Sequence, residues 1–249
     1  MTFISKHVAK QPNHIGIIEY STEENQVWRI LFERQMKFLP GRACDEHLQG
    51  LEDLAISADN IPQLTDINCR LKKLTQWEVV PVKSMVPARE FFSLLALKQF
   101  PVATFIRSGE EIDYATEPDI FHELFGHCPI IANTKCSDFM HYFACKSINM
   151  DDHDLFLMQQ IFIFTFEFGL INTSSGLRAY GAGLLSSPRE LVRSLDDLLT
   201  KKVIFDLKVV LKNQYHIDKV QDIYFIINNY DQLLGYIDTW CREGSSARL

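Results

Sequence analysis

The sequence predicts a mainly α-helical, single compact domain with short β-strands and one β-hairpin. Three observations lead to this fold class. Most of the chain shows the apolar spacing of amphipathic helices, whereas segments rich in β-branched residues are few and short. A chain of 249 residues, 47% of them hydrophobic, can form one large core. We find no internal repeat, low-complexity tract or linker that would divide it, so residues 1–249 are expected to form one domain.

The helices are predicted from apolar periodicity and from residues that begin or end a helix. Residues 1–16 show little periodicity and are expected to form a loosely held arm. Ser21 and Glu24 form a capping box at the start of the first helix, and Pro40 ends that helix. The other predicted helices cover about residues 44–56, a segment after the turn at residues 60–64, and about residues 89–99, 117–126, 137–148, 152–168, 188–199 and 228–242.

Only short strands are predicted. Residues 77–82 are rich in β-branched side chains, but Pro81 lacks the N–H that a strand needs and indicates an edge or irregular strand. Residues 102–106 form a second short strand. Residues 170–172 and 177–180, joined by a four-residue turn, form the hairpin.

Charge and cysteine content exclude several classes of protein. The net charge is −7, and the basic residues are scattered, so we expect a small-molecule partner rather than nucleic acid or an anionic membrane. Six cysteines without a C-x-x-C pair indicate neither a disulfide framework nor a cysteine zinc site, and reduced thiols are typical of the cytoplasm. The N-terminus lacks a signal-peptide pattern, and no apolar run reaches the roughly 18 residues that span a bilayer. A cytoplasmic protein is therefore expected.

Two histidines, His122 and His127, are candidate metal ligands. Residues five apart are about 140° out of alignment on an ideal α-helix, so both side chains could face one ion only if the helix were interrupted. Gly126 is expected to take the left-handed conformation that ends the helix, and Pro129 to prevent the helix from resuming. The alternative is a histidine pair that makes ordinary hydrogen bonds and binds no metal.

Glu167 is the candidate third ligand. It lies in a stretch, residues 155–168, that is apolar on nearly every face and must be buried. A buried carboxylate needs a proton, a cationic partner or a metal, and a salt bridge to an arginine is the simplest alternative. Two imidazoles and one carboxylate are typical of non-haem Fe(II) oxygen chemistry, but the same set also binds catalytic zinc. The residue types alone leave iron and zinc open.

Three stretches of sequence relate the whole chain, and not only the candidate metal ligands, to a known family. Residues 117–129 (EPDIFHELFGHCP), 164–170 (FTFEFGL) and 179–187 (AYGAGLLSS) closely resemble, in order and spacing, the signature blocks of the pterin-dependent aromatic amino acid hydroxylases. Weaker similarity at residues 60–64 and 105–107 extends the resemblance over roughly residues 15–242.

The resemblance implies a metal site and a cofactor site. His122, His127 and Glu167 would bind Fe(II) and form the catalytic centre. Phe91 would stack on the ring of a tetrahydropterin, similar to tetrahydrobiopterin, and Glu123 would lie close to it. Without the resemblance, Phe91 would be interpreted as a core residue and Glu123 as an acid near the positive end of a helix dipole.

The resemblance also implies a binding site for the amino-acid substrate. Arg107 would hold its carboxylate, a task suited to a planar guanidinium, and Asp119 would support that arginine. Ser186 would complete the polar network around His122. Pro118 and Phe168 would line the slot for the aromatic ring.

The activity implied by the resemblance is a monooxygenase of phenylalanine catabolism, which uses Fe(II), O2 and tetrahydropterin to convert L-phenylalanine to L-tyrosine. Tryptophan or tyrosine is the alternative substrate within the family. A zinc hydrolase is the alternative from a different class, and a non-catalytic helical binding protein would leave Glu167 unexplained.

The sequence departs from the animal members of that family near the substrate. It has Phe162 and Ile163 where those members typically have Tyr-Trp, and Ala115 where they usually have Thr. Ile163 would remove an aromatic wall near the substrate ring. The extent of the chain resembles the bacterial members, so we expect no regulatory or tetramerisation domain and a monomer or small homo-oligomer.

Overall fold

Helices dominate the regular structure in residues 7–83, 86–113, 117–216 and 219–242, the parts of the chain that the computed structural model describes. The α-helices are α1 (Thr22–Phe38), α2 (Asp45–Asp53), α3 (Leu64–Leu74), α4 (Ala88–Ala96), α5 (Cys128–Ile131), α6 (Thr134–Ser147), α7 (Asp152–Phe162), α8 (Ala182–Leu185), α9 (Pro188–Asp196), α10 (Leu207–Lys212) and α11 (Tyr230–Arg242). The strands are β1 (Glu78–Val82), β2 (Gln99–Ala103), β3 (Leu170–Thr173), β4 (Gly176–Ala179), β5 (Lys201–Ile204) and β6 (Ile223–Ile227). The predicted fold class, mainly α with short strands, is confirmed.

The start of α1 is built as the sequence predicts. The Ser21 hydroxyl accepts a hydrogen bond from the Glu24 backbone N–H at 3.2 Å, and the Glu24 carboxylate accepts one from the Ser21 N–H at 2.6 Å. The helix buries Trp28 and Leu31 and is followed by the predicted stop at Pro40. Residues 1–6 of the predicted arm lie outside the described residues.

The boundary between α4 and β2 differs from the prediction. The helix was expected to reach residue 99 and the strand to cover residues 102–106, whereas α4 ends at Ala96 and β2 begins at Gln99. Lys98 has a φ of +58°, which turns the chain immediately after the helix. Pairing with β1 then sets the strand, since the two run parallel from Glu78 opposite Gln99 to the end of β1. Both strands are edges of this two-stranded sheet, so Pro81 in β1 is accommodated.

The predicted hairpin is confirmed but belongs to a larger sheet. Strands β3 and β4 pair antiparallel, and the four-stranded sheet has the order β4-β3-β6-β5. Strands β5 and β6 and helix α10 were not predicted from the sequence. Strand β6 lies parallel to both neighbours and is almost entirely buried, so its run Ile-Tyr-Phe-Ile-Ile lacks the alternation by which half-buried strands are recognised.

Aromatic side chains fill the core beneath the site. Phe162 on α7 contacts Phe92 on α4 and Phe143 on α6, and its ring stacks on Phe166 at 4.7 Å. This packing fixes the end of α7, which is followed directly by the turn that carries Glu167. Among the described residues, no helix combines the length and the apolar character needed to cross a membrane.

Two helical glycines give a matched stability prediction. A Cβ added at Gly50 in α2 would lie 2.1 Å from the backbone oxygen of Pro129, so Gly50→Ala must push α2 away from α5 and should lower the free energy of unfolding by about 3 kcal/mol. A Cβ at exposed Gly235 in α11 would meet nothing within 4 Å, so Gly235→Ala should raise it by about 0.5–1 kcal/mol. Urea unfolding followed by circular dichroism measures both. Equal effects would contradict the predicted close contact.

Candidate active site

His122 and His127 lie on an unbroken helix, so the predicted break at Gly126 is wrong. Residues 120–131 are helical throughout, and His122–His127 form a π-helical turn, in which the Cys128 N–H bonds to the Glu123 carbonyl five residues back. In a π-helix this spacing brings residues five apart to the same face. The two imidazole rings are accordingly 4.8 Å apart.

Gly126 and Pro129 have other roles than those predicted. Gly126 is not among the described residues with positive φ. A Cβ there would lie 2.9 Å from the carbonyl oxygen of Ala182, so the missing side chain lets α8 approach the π-helical turn. Pro129 lies in the first turn of α5, directly after the π-helical turn, and the helix continues through it.

Glu167 reaches the two imidazoles from a second π-helical turn. This turn, Ile163–Glu167, follows α7 directly, and the hydrogen bond that closes it runs from the Phe168 N–H to the Ile163 carbonyl at 3.0 Å. One Glu167 oxygen lies 2.9 Å from His127 Nε2 and the other 3.4 Å from His122 Nε2. The two Nε2 atoms are 3.1 Å apart. Two distant segments thus bring three donor groups together.

The hydrogen bonds and burial of these groups favour the protonation states that bind a metal. The Ser186 hydroxyl donates to the Ala182 carbonyl at 2.7 Å, so it accepts from His122 Nδ1 at 3.0 Å and leaves the lone pair on His122 Nε2. Burial lowers the pKa of His122 to about 4, which keeps the ring neutral. Burial acts to raise the pKa of Glu167, but the imidazoles of His127 and His122 outweigh it and hold the pKa at about 2.

These three groups fit a divalent transition metal. Ligand atoms that are each about 2.1 Å from one ion lie about 3.0–3.4 Å from one another, depending on the bond angle. The separations of 2.9, 3.1 and 3.4 Å match that range. The donor set is two imidazole nitrogens and one carboxylate.

Glu123 is a second carboxyl group within reach of the histidines. It forms a cluster with His122 and His127 whose ligand atoms all lie within 4.8 Å of one another. Burial raises the pKa of Glu123 well above its usual value, and the charges of Glu167 and Asp119 add to this rise. Because a metal ligand must be deprotonated, Glu167, whose pKa is lowered, is the better third donor than Glu123, whose pKa is raised.

Two cavities meet at this cluster, with volumes of about 170 and 290 Å³. The predicted pterin residues, Phe91 and Glu123, line the smaller cavity. Of the predicted substrate residues, Arg107, Phe168 and Ser186 line the larger one. Both cavities are lined by Glu117, Pro118, His122, Gln159, Ile163 and Glu167. The cluster therefore lies between two compartments that separate the predicted cofactor and substrate residues.

Asp119 lines neither cavity but accepts hydrogen bonds from Arg107, which lines the larger one. Arg107 donates from Nε and Nη2 to the two oxygens of Asp119 at 2.7 and 2.8 Å, and its backbone N–H donates to the same carboxylate at 3.0 Å. Burial acts to raise the pKa of Asp119, but the guanidinium of Arg107 outweighs it and holds the pKa below its usual value. The backbone N–H of His122 also donates to Asp119 at 3.1 Å, which links the arginine to the histidine turn.

The wall between the cavities contains two residues, Glu117 and Gln159, that were not predicted as site residues. Gln159 lies one helical turn before Ile163 and borders both cavities. The only sequence signal was the polar pair Gln159–Gln160 in an apolar run, and Gln160 is explained otherwise, since it donates to the Val210 carbonyl at 2.7 Å. Ile163 also borders both cavities, beside the predicted substrate residues. Ala115 lies outside the described residues.

Replacing Ser186 should weaken metal binding. Ser186→Ala removes the acceptor that orients His122, and loss of such an outer partner costs about tenfold or more in metal affinity. Ser187→Ala is the matched control, because Ser187 caps α9 by accepting from the Glu190 N–H and should cost about 1 kcal/mol of stability. Iron titration with a competing chelator measures the affinities. Equal affinities in the two variants would show that Ser186 does not support His122.

The fold and site together are those of mononuclear metal enzymes with two histidines and one carboxylate, a class that leaves coordination positions open for oxygen and substrate. Within that class the chain belongs to the biopterin-dependent aromatic amino acid hydroxylases, whose family model matches residues 4–245. The family resemblance of the three sequence blocks is therefore confirmed.

Relatives and solved structures agree with this membership. The chain is 42% identical to a phenylalanine-4-hydroxylase of Pseudomonas aeruginosa, over 92% of this chain and 87% of the relative. A phenylalanine hydroxylase structure from Legionella pneumophila matches with a TM-score of 0.89 and 50% identity, over 92% of this chain and 91% of the other. A Chromobacterium violaceum phenylalanine hydroxylase with bound iron(III) and 7,8-dihydrobiopterin matches with a TM-score of 0.85 and 39% identity, over 91% and 82%.

Proposed function

We propose that this chain is a phenylalanine 4-monooxygenase, which converts L-phenylalanine to L-tyrosine with O2, a tetrahydropterin and non-haem Fe(II). The observation that carries the proposal is the convergence of His122, His127 and Glu167 between two cavities. Family membership and the names of the relatives support the same reaction.

In this proposal His122, His127 and Glu167 hold the iron. When bound, the iron and the tetrahydropterin supply dioxygen activation and the electrons for ring hydroxylation. His122 and Glu167 border both cavities, so they would hold a metal where the cofactor and substrate sides meet. Phe91 presents an aromatic ring to the pterin, and Glu123, kept neutral by burial, can donate a hydrogen bond to it.

The larger cavity would take the amino acid. Arg107, held in place by Asp119, pairs with the substrate carboxylate. Pro118 and Phe168 form apolar walls for the ring, and Ser186 adds a polar group beside His122. The chain would then contribute mainly orientation, because these residues would hold the ring in place and remove the entropy cost of bringing the reactants together.

An oxygen-dependent turnover assay tests the proposal. Purified chain, tetrahydropterin and phenylalanine should form tyrosine with oxygen uptake, and removing Fe(II) with a chelator should stop it. Parallel assays with tryptophan and tyrosine measure the ring preference at the Ile163 wall. Hydroxylation of tryptophan or tyrosine without tyrosine formation from phenylalanine would change the assigned substrate. Stoichiometric zinc with no oxygen uptake after iron reconstitution would overturn the proposal.

We also infer a cytoplasmic location and action as a monomer or small homo-oligomer on a small molecule. The six cysteines, all within the described residues, form no disulfide, as is usual where thiols are kept reduced, and the net charge of −7 does not favour binding to nucleic acid or anionic lipid. Light scattering of the purified protein tests the oligomeric state.

A further inference from the structure

Residues 104–107, which we call the wall segment, reach both cavities. Phe105 lines the smaller cavity and Arg107 the larger one. Inward, the segment is attached to the helix of the histidines: the Phe105 carbonyl accepts from the Ile120 N–H at 2.8 Å, and the Arg107 N–H donates to Asp119 at 3.0 Å. The position of this one segment therefore affects both binding compartments.

The outer side of the wall segment is covered by His7. The imidazole of His7 stacks on the ring of Phe105, with centroids 4.5 Å apart and planes within 4°. His7 Nε2 also lies 3.3 Å from a carboxylate oxygen of Glu111. Glu111 in turn accepts from the Ser108 N–H at 3.3 Å, just beyond the wall segment. His7 thus contacts the wall segment through Phe105 and the turn after it through Glu111.

Lys10 attaches the same N-terminal stretch to the body of the protein. Its carbonyl accepts a hydrogen bond from the hydroxyl of the fully buried Thr104 at 2.7 Å. Its ammonium group pairs with Glu24 in α1 at 2.5 Å and donates to the Glu19 carbonyl at 2.8 Å. Tyr20 donates to the Thr104 carbonyl at 3.0 Å. The wall segment is consequently held between α1 and the histidine helix.

We propose that His7 is a positioning residue, which acts through Phe105 and Arg107 to keep both cavities in their binding form. His7 lines neither cavity, so its effect is indirect. Without the His7 ring stacked on Phe105, the wall segment has additional conformations, and only a fraction of the molecules has both cavities in the form that binds pterin and substrate. The apparent affinity falls to that fraction of its original value, whereas the bound complex reacts as before. The kinetic part of this inference rests on the proposed function.

Steady-state kinetics of three variants test the role. For His7→Ala we expect the KM values for tetrahydropterin and for phenylalanine to rise about three- to fivefold, the size expected from loss of one aromatic contact, with kcat within about twofold of the parent. His7→Phe keeps a ring on Phe105 and should restore both KM values. His14→Ala is the matched control, since the exposed His14 side chain makes no hydrogen bond, ion pair or ring contact within the described residues.

Amide hydrogen exchange gives a readout that does not need turnover. The Arg107 and Ile120 amides should exchange about fivefold faster in His7→Ala than in the parent, and His7→Phe should reverse this. Unchanged exchange and unchanged KM values would overturn the inference, as would a loss of kcat and melting temperature with no change in KM. A parent protein that forms no tyrosine would instead refute the proposed function, and the exchange data would still decide the role of His7.

Discussion

Glu167→Ala is expected to abolish both iron retention and hydroxylation. The side chain supplies one of three donor groups and the only carboxylate among them. The remaining imidazoles, with Nε2 atoms 3.1 Å apart, form a two-ligand site with no negative charge. We expect kcat/KM to fall by about a thousandfold or more, because several kcal/mol of transition-state stabilisation depends on the metal. Elemental analysis after iron reconstitution and dialysis, together with tyrosine formation, measures the two losses.

Glu123→Gln is the matched control for Glu167→Ala. Glu123 is buried and Glu167 half-buried beside the histidines, and the Gln amide keeps the shape of the Glu123 side chain without its charge. We expect this variant to keep close to one iron per chain, although its affinity for pterin can change. Iron loss in Glu123→Gln with retention in Glu167→Ala would assign the third ligand to Glu123 and refute the proposed triad.

The identity of the candidate site residues could be predicted from the sequence, whereas the backbone that presents them could not. The spacing of His122 and His127 was interpreted with α-helical geometry, which requires a break. The chain instead widens its hydrogen bonding over one turn and keeps the helix intact. Whether a segment forms α or π hydrogen bonds depends on tertiary packing, here the approach of Ala182 to Gly126, which lies 56 residues away in the sequence. Residue spacing alone does not contain that contact.

The β-structure shows the same dependence on non-local contacts. The hairpin of β3 and β4 was predictable because its turn and both strands are contiguous. Strand β6 became part of the sheet only by pairing with β3 and β5, over separations of roughly 50 and 20 residues, and its continuous apolar run carries no strand period. Gln159 was missed for a related reason, since a polar residue on a helix indicates a cavity only once the packing of that helix is known.

Arg107→Lys is expected to raise the KM for phenylalanine about 100-fold with a much smaller change in kcat. Two of the guanidinium nitrogens are engaged by Asp119, and Arg107 lines the larger cavity, so the planar group can bind Asp119 and the substrate carboxylate at once. A lysine ammonium keeps the charge but loses this fork, and a hydrogen-bonded charge pair of this kind contributes about 1.5–3 kcal/mol. Initial rates over a range of phenylalanine concentrations, with saturating pterin, measure the effect.

Arg34→Lys separates a specific role of Arg107 from a general effect of charge in the larger cavity. Arg34 lines the same cavity and also forms an ion pair, with Asp113, but that pair is exposed on the Asp113 side. Exposed pairs contribute about 0–1 kcal/mol, so the KM for phenylalanine should change by less than about fivefold. Asp119→Asn should resemble Arg107→Lys in KM and also lower stability, because it leaves a buried guanidinium without its counter-ion. Equal KM changes in Arg34→Lys and Arg107→Lys would mean that the cavity attracts the substrate by net charge, and the proposed carboxylate contact with Arg107 would have to be withdrawn.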